Sequence, residues 1–360
     1  MRIGLDRERP VAEALDVFEL REKLRACQDE DDGRSARAFW TTALLLVAAF
    51  ATSVLIENLF VRIPLVFVLA LIYARIFALF HDADHGAFLR RQRRKRTALR
   101  VAAYALLSPP AIWREGHAEH HRGQGAFDAG LAGEYPVWTV DHWHEASPAR
   151  RFLYRTTRAP ATIASAYVTV FLFGSCLLPF AVNPWRNARC LIAPLVHGAI
   201  IAALVLLFGW DAALAAFILP AALAAALGAY LIYVQHNAPG VIYVDAEERD
   251  GVAAALRSTT YFEMNRVMRW ATANIGYHNV HHLAPRIPFY RLPEAHRALA
   301  PVEPFLVRTS WRWMDVRAAL AANLYDVRRR RMTTYAEAEE RVTPPPRSPF
   351  FDSRIALRRS

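Results

Sequence analysis

The sequence predicts an all-α integral membrane protein, in which two hairpins of transmembrane helices and some interfacial or re-entrant segments present a pair of metal ions on the cytoplasmic side. Three observations predict it. Hydrophobic residues make up 54% of the 360. They gather in runs close to the roughly 20 apolar residues that a helix needs to cross a bilayer core. Nine of the 13 histidines fall in four short strings.

Residues 1–36 are rich in charge, from Arg2, Asp6 and Arg7 to Asp29, Glu30, Asp31 and Asp32, and lack the apolar core of a cleavable signal peptide. They read as a cytoplasmic head. Spans follow at about 39–56 and 63–80, the second interrupted by Arg75, and again at about 190–210 and 212–234, with His197 inside the third. The turns at 57–62 and around Asp211 carry little positive charge. The run Arg90, Arg91, Arg93, Arg94, Lys95 and Arg96 follows the second span, and the positive-inside rule places it in the cytoplasm. A short apolar run, Val101 to Ile112, contains Pro109 and Pro110 and is too short to cross. The apolar stretch 159–182 is long enough to cross, but a full crossing would put the later histidines on the opposite face from the earlier ones. It is therefore expected to be interfacial or re-entrant. Past Val234, residues Asp245 to Asp250 read as a solvated loop and Phe289 onward as soluble helices. A membrane domain over 37–326 is followed at 327–360 by a basic, proline-containing tail expected to be disordered, with Arg328 to Arg331 and Pro344, Pro345 and Pro346.

The net charge is +11, and nearly all of the positive charge is arginine, since Lys23 and Lys95 are the only lysines. In a membrane protein this balance reports cytoplasmic loops rather than a nucleic-acid partner. Cys27, Cys176 and Cys190 are too far apart and too few for a disulfide framework or a cysteine metal cluster.

The first histidine string is HDADH, with His81 and His85. The second is HAEHH, with His117, His120 and His121. A single His236 stands in YVQHN, and HNVHH supplies His278, His281 and His282. Spacings of three and four place side chains on one face of a helix. Neutral imidazole is a ligand for iron, copper, zinc and nickel. Any one of these histidines alone would be an ordinary surface or half-buried residue. Together they are too many for one ion and suit two, with open positions left for oxygen or water. His142, His144, His197 and His296 lack clustered partners and are not expected to bind metal; His197, inside a span, is expected to serve helix packing. Asp82, Asp84, Glu119 and Asp128 are either partners that accept a ring N–H and fix the ligating tautomer or solvated surface charges. Gln235 and Asn274 are candidates to hold a water or a ligand, while Trp113 and Glu115 read as structural.

These strings resemble those of the membrane-bound fatty acyl desaturases, in particular the bacterial acyl-lipid group. NIGYHNVHHLAPRIPFYRLPEAH, from Asn274 to His296, resembles the third box of that family. HDADHGAF resembles the first box, WREGHAEHH the second, and YVQH the position of an additional ligand. The resemblance runs from about Phe39 to Tyr325. It implies four transmembrane helices under a cytoplasmic helical cap, and two non-haem iron ions held by the nine histidines, which act in catalysis through the metals. It also implies molecular oxygen as co-substrate and removal of two hydrogens from adjacent methylenes of a lipid acyl chain or acyl thioester. Electrons would come from ferredoxin or cytochrome b5; without an HPGG haem-binding string, the donor is expected to be a separate protein. The arginine and alanine bias points to a bacterial inner membrane. Two segments depart from the family pattern: RGQGAFDAG after the second box, where many relatives carry a threonine or serine with asparagine, and NAPGVIYVD after YVQH, which lacks an aromatic pair. A hydroxylase or ketolase of lipids, alkanes or carotenoids on the same scaffold is the enzymatic alternative. A membrane metal transporter is the alternative from another class.

Overall fold

The computed structural model describes residues 17–127, 135–244 and 250–340. Within them the chain is mostly helical, and four helices are long and apolar enough to cross a membrane. After α1 (Val17–Ala26), α2 (Asp32–Leu55) starts on Asp31, whose side chain accepts from the Arg34 amide. Asn58 caps α3 (Leu59–Asp84) in the same way through the Phe60 amide. α3 packs along α2 on one flank and along the fourth long helix on the other. Arg75, the charge inside this second span, is buried. Its Nε donates to Thr42 Oγ1 of α2 at 2.8 Å, and its guanidinium lies 4.5 Å from the Trp270 ring. A cation at this depth is thus tied to protein groups rather than presented to lipid.

The apolar run around Val101 is split. α4 (Arg93–Ala105) ends before Leu107, which adopts a left-handed φ of 56°, and α5 (Pro110–Gly123) restarts with Pro110 in its first turn. Next come β1 (Trp138–Thr139), α6 (Val140–Glu145), α7 (Pro148–Thr157) and α8 (Pro160–Ala164). The stretch 159–182 is not one straight helix: a π-helix over Tyr167–Leu177 runs into α9 (Leu178–Val182), and the combined apolar helix is shorter than the four long ones. The third and fourth long helices are α10 (Pro184–Phe208) and α11 (Trp210–Val234), joined through Gly209.

Beyond α11 lie α12 (Gly251–Arg257), β2 (Thr260–Glu263), α13 (Arg266–Ala271), α14 (His278–Leu283), α15 (Leu292–His296), β3 (Val307–Ser310), α16 (Trp313–Ala321), β4 (Leu324–Asp326), β5 (Arg331–Thr333) and α17 (Tyr335–Glu340). β2 pairs in parallel with β3, and β4 lies between β1, parallel to it, and antiparallel β5.

Two expectations are corrected here. The all-α reading missed five strands, because strands of two to four residues are too short to show an alternating pattern. The tail expected to be disordered from 327 is folded as far as 340, where β5 completes a sheet and α17 packs Ala338 and Tyr335 against Trp143 and Tyr154. Residues 341–360 and the expected loop at 245–249 lie outside the described residues, as do residues 1–16 of the head.

Candidate metal centre

His81 and His85 sit on the last turn of α3 and at its C-cap, one turn past the apolar part of the helix. His117, His120 and His121 project from α5, His236 follows the end of α11, and His278, His281 and His282 occupy α14. Gly276, two residues ahead of α14, explains part of that placement. A Cβ there would lie 2.5 Å from the carbonyl oxygen of Phe262, so only glycine lets the box approach β2 this closely. Burial of Asp82 secures the other side: its Oδ2 accepts from the Phe289 amide at 3.0 Å, latching the segment after α14 onto α3.

The structure brings all nine histidines together, eight of them in two groups of four. His81, His85, His117 and His281 form one, and His120, His236, His278 and His282 the other, with ligand atoms in each group within 4.8 Å of one another. His121 lies between them, its Nε2 3.1 Å from that of His281 and its ring stacked 4.2 Å from that of His282.

The donor set fits metal ions better than it fits hydrogen bonding. His117 Nε2 lies 2.8 Å from His81 Nε2, 2.8 Å from His85 Nε2 and 3.2 Å from His121 Nε2. One ring nitrogen carries either one hydrogen or one lone pair, so three such contacts cannot all be hydrogen bonds. In the second group, His278 Nε2 faces His236 Nε2 at 2.9 Å and His282 Nε2 at 3.0 Å. Two nitrogens bound at about 2.1 Å to a common ion and at right angles are about 3 Å apart, so a shared cation accounts for the spacing. Burial pushes His85 down to about 4, and it holds His117, His121, His278, His281 and His282 well below the usual imidazole range, reinforced by the neighbouring rings. Neutral rings are the ligating form. His236 Nδ1 points at the Ser258 carbonyl oxygen, 3.2 Å away; donating there leaves Nε2 as the ligating atom.

The residue that bears this carbonyl is itself held through its side chain. Gln124, just past α5, donates from Nε2 to the Ala254 carbonyl at 2.7 Å and to Ser258 Oγ. Gly125 has φ +85°, and a Cβ on it would lie 2.5 Å from Ser258 Oγ. Neither Gln124 nor Ser258 was singled out from the sequence, and the only trace was the departure RGQG after the second box.

Asp82 and Asp84 bond groups other than the histidine rings. Asp82 bonds the Phe289 amide, and Asp84 pairs with Arg114 at 2.7 Å. Among the described residues, none of Asp82, Asp84 and Glu119 accepts a hydrogen bond from any of the nine rings. Asp128 lies outside the described residues. Asn274 Nδ2 donates to the Phe289 carbonyl, whereas Gln235, which donates to the Ile275 carbonyl at 3.0 Å, lines a cavity. His197 is bonded between Tyr167 Oη at 2.5 Å and the Ala105 carbonyl at 2.7 Å, the packing role expected of it.

The cavity runs between α3 and α11 and takes in about 1110 Å³ including its open mouth. One end is bounded by His81, His117, His120, His236 and His278. The rest is mostly apolar, with Phe77, Ala78, Ala224, Gly228 and Leu231 on its walls and Tyr73 and Ala221 furthest along the helices, and with Ser108 and Thr272 among its few polar residues. Trp113 also lines it and stacks on His117 at 5.0 Å, so this residue, read as structural, borders both features. Tyr73 precedes His81 by eight residues, a rise of about 12 Å along the helix.

Comparison with known proteins gives a consistent picture. The family model described as fatty acid desaturase matches residues 57–316. A protein of Bacillus subtilis named fatty acid desaturase is 28% identical over 230 residues, 64% of this chain and 65% of that protein, just under two thirds of its length. An sn-1 oleoyl-lipid 12-desaturase of Synechocystis is 24% identical over 322 residues, 85% of this chain and 87% of the relative. A chloroplastic omega-6 fatty acid desaturase of Glycine max is 30% identical over 95 residues, covering 26% of this chain and 22% of its own.

Proposed function

The chain belongs to the fatty acid desaturase family, and on that premise we propose that it is an O2-dependent di-iron desaturase that introduces a double bond into the acyl chain of a membrane lipid. The observation that carries the reading is the meeting of two histidine groups with one end of an otherwise mostly apolar cavity. His81, His85, His117 and His281 hold one iron, with His121 beside them, and His120, His236, His278 and His282 hold the other. The irons, when bound, supply the oxygen chemistry needed to break unactivated C–H bonds.

The protein's own part is placement. Phe77, Ala78, Leu231 and Trp113 give the chain an apolar path and keep water from the reacting carbons. The distance of about 12 Å from His81 to Tyr73 leaves room for roughly nine methylene groups, at an advance of about 1.25 Å for each 1.5 Å carbon–carbon bond. Which carbons are attacked then follows from how deep the chain seats. The relative from Synechocystis, named for an oleoyl-lipid, supports a lipid-borne substrate over an acyl thioester.

Residues 37–326 form the catalytic membrane unit, with α2–α3 and α10–α11 as two hairpins and 159–182 lying at the interface. The histidine end faces the cytoplasm, on the evidence of the exposed arginines Arg91, Arg93 and Arg94 that follow α3. The same basic rim suits an acidic electron carrier of the ferredoxin type, with a cytochrome b5 as the alternative donor.

The test is mass spectrometry of total fatty acids, with double-bond positions derivatised, from a bacterial host expressing the chain with a ferredoxin partner. A new acid lacking two hydrogens, absent from a His281→Ala strain, is the expected result. An acid that instead gains oxygen would replace desaturation by hydroxylation or ketone formation. Folded, iron-loaded protein that yields neither product would overturn the acyl substrate.

A further inference from the structure

We propose that α7 is an interfacial anchor, a helix lying in the plane of the membrane surface with Phe152 and Leu153 inserted among the lipids. The two faces of this helix differ sharply. Tyr154 is buried and donates to the Asn323 carbonyl at 2.5 Å while accepting from the Trp138 amide. Arg151 turns back to the carbonyls of Ala146 and His144, and Arg155 pairs with Glu339 at 2.5 Å. The charged side chains on this flank are thus committed to the protein. On the opposite face Phe152 is 72% and Leu153 63% exposed, two adjacent large apolar side chains on one short helix.

The height of α7 relative to the spans identifies what covers that face. Arg158, its C-cap, is almost fully buried and donates to Asn237 Oδ1 at 2.6 Å, to Tyr233 Oη at 3.3 Å and to the Ala322 carbonyl at 3.2 Å. Tyr233 and Asn237 bracket the point at which α11 leaves its apolar stretch. α7 therefore ends level with the boundary between hydrocarbon and water. One residue later the chain enters the apolar stretch 159–182, where Val168, Phe173 and Val182 are also exposed. An amphipathic helix at that depth buries its apolar face in the boundary between headgroups and acyl chains. The inference is independent of the reaction catalysed.

Nitroxide labels at Phe152→Cys, Leu153→Cys and, as a control in the same region, Glu145→Cys test it in full-length protein reconstituted into vesicles of phosphatidylethanolamine and phosphatidylglycerol. The natural cysteines Cys27, Cys176 and Cys190 are buried. Oxygen partitions into the bilayer and a hydrophilic nickel chelate stays in water. The expected result is a ratio of oxygen to nickel collision rates at 152 and 153 at least fivefold that at 145. A ratio at both positions equal to that at 145 would put the face in water and overturn the proposal. Low collision rates with both reagents would overturn it too, by showing the face covered by protein, either a soluble partner or a second copy. Both labels replace exposed side chains, so each reports independently if the other variant fails to fold.

Discussion

Replacing Gln124 by leucine tests whether the second histidine group depends on a side chain that binds no metal. Gln124 Nε2 makes two buried bonds, to the Ala254 carbonyl and to Ser258 Oγ, at the end of the helix whose following residue, Ser258, offers its carbonyl to His236 Nδ1. Each bond contributes about 0.5–1.5 kcal/mol net, so losing both costs about 1–3 kcal/mol. If that energy is what holds the Ser258 carbonyl under His236, the affinity of the second site falls by roughly 10- to 100-fold, the usual cost of losing a partner behind a ligating histidine. The measurement is metal retained per protein, by plasma mass spectrometry, across a chelator titration. Gln124→Leu should give up half of its metal at a chelator concentration at least tenfold below the parent, and the other half near the parental concentration. A Ser258→Ala variant, which keeps the carbonyl, should fall between the two. Superimposable curves for parent and Gln124→Leu would refute the reasoning.

Two further outcomes follow from the geometry. Gly228 faces the cavity, and a Cβ there meets only Phe171 Cζ at 4.0 Å, so Gly228→Leu should fold normally while filling acyl space; kcat/KM for long acyl chains is expected to fall about 10- to 100-fold, or 1–3 kcal/mol, with unchanged metal content. Arg158→Met should lower stability by about 2–6 kcal/mol, read as a drop in the thermal midpoint in detergent, because it leaves two neutral acceptors, the carbonyl of Pro136 and Oδ1 of Asn237, buried without their donor at about 1–3 kcal/mol each; a shift corresponding to less than 1 kcal/mol would count against Arg158 as a structural hub.

The clustering of the nine histidines was legible from their spacing: rings four apart share a group, as His81 with His85 and His278 with His282 do, while His120 and His281, at the interval of three, turn to the other group. The long helices were legible because hydrocarbon thickness imposes length. Neither constraint acts on Gln124 or Ser258, which work through one side-chain amide and one backbone carbonyl, and a carbonyl leaves no mark on residue identity. Asp82 and Asp84 were placed near the metals on proximity in sequence, yet the helix turns one toward the Phe289 amide and the other toward Arg114. The folded stretch 331–340 was hidden by the run Arg328 to Arg331 at its start, which suggested a solvated tail. Met332 and Ala338, the residues that pack inward, are too few to set a pattern against that charge.

The parallel pairing of Trp138 and Thr139 with Leu324 and Tyr325 bears on the order in which the protein is made. His282, the last of the nine, leaves the ribosome well before Leu324 does. During that interval the nascent chain carries all nine clustered histidines while β1 has no partner strand, and Tyr154 and Arg158 lack the acceptors that Asn323 and Ala322 will provide. Contacts this remote in sequence form slowly. The region around α7 is thus completed only once residues 322–325 have been made, and chains truncated before residue 322 should be recognised as unfinished by cellular proteases even with all nine histidines present.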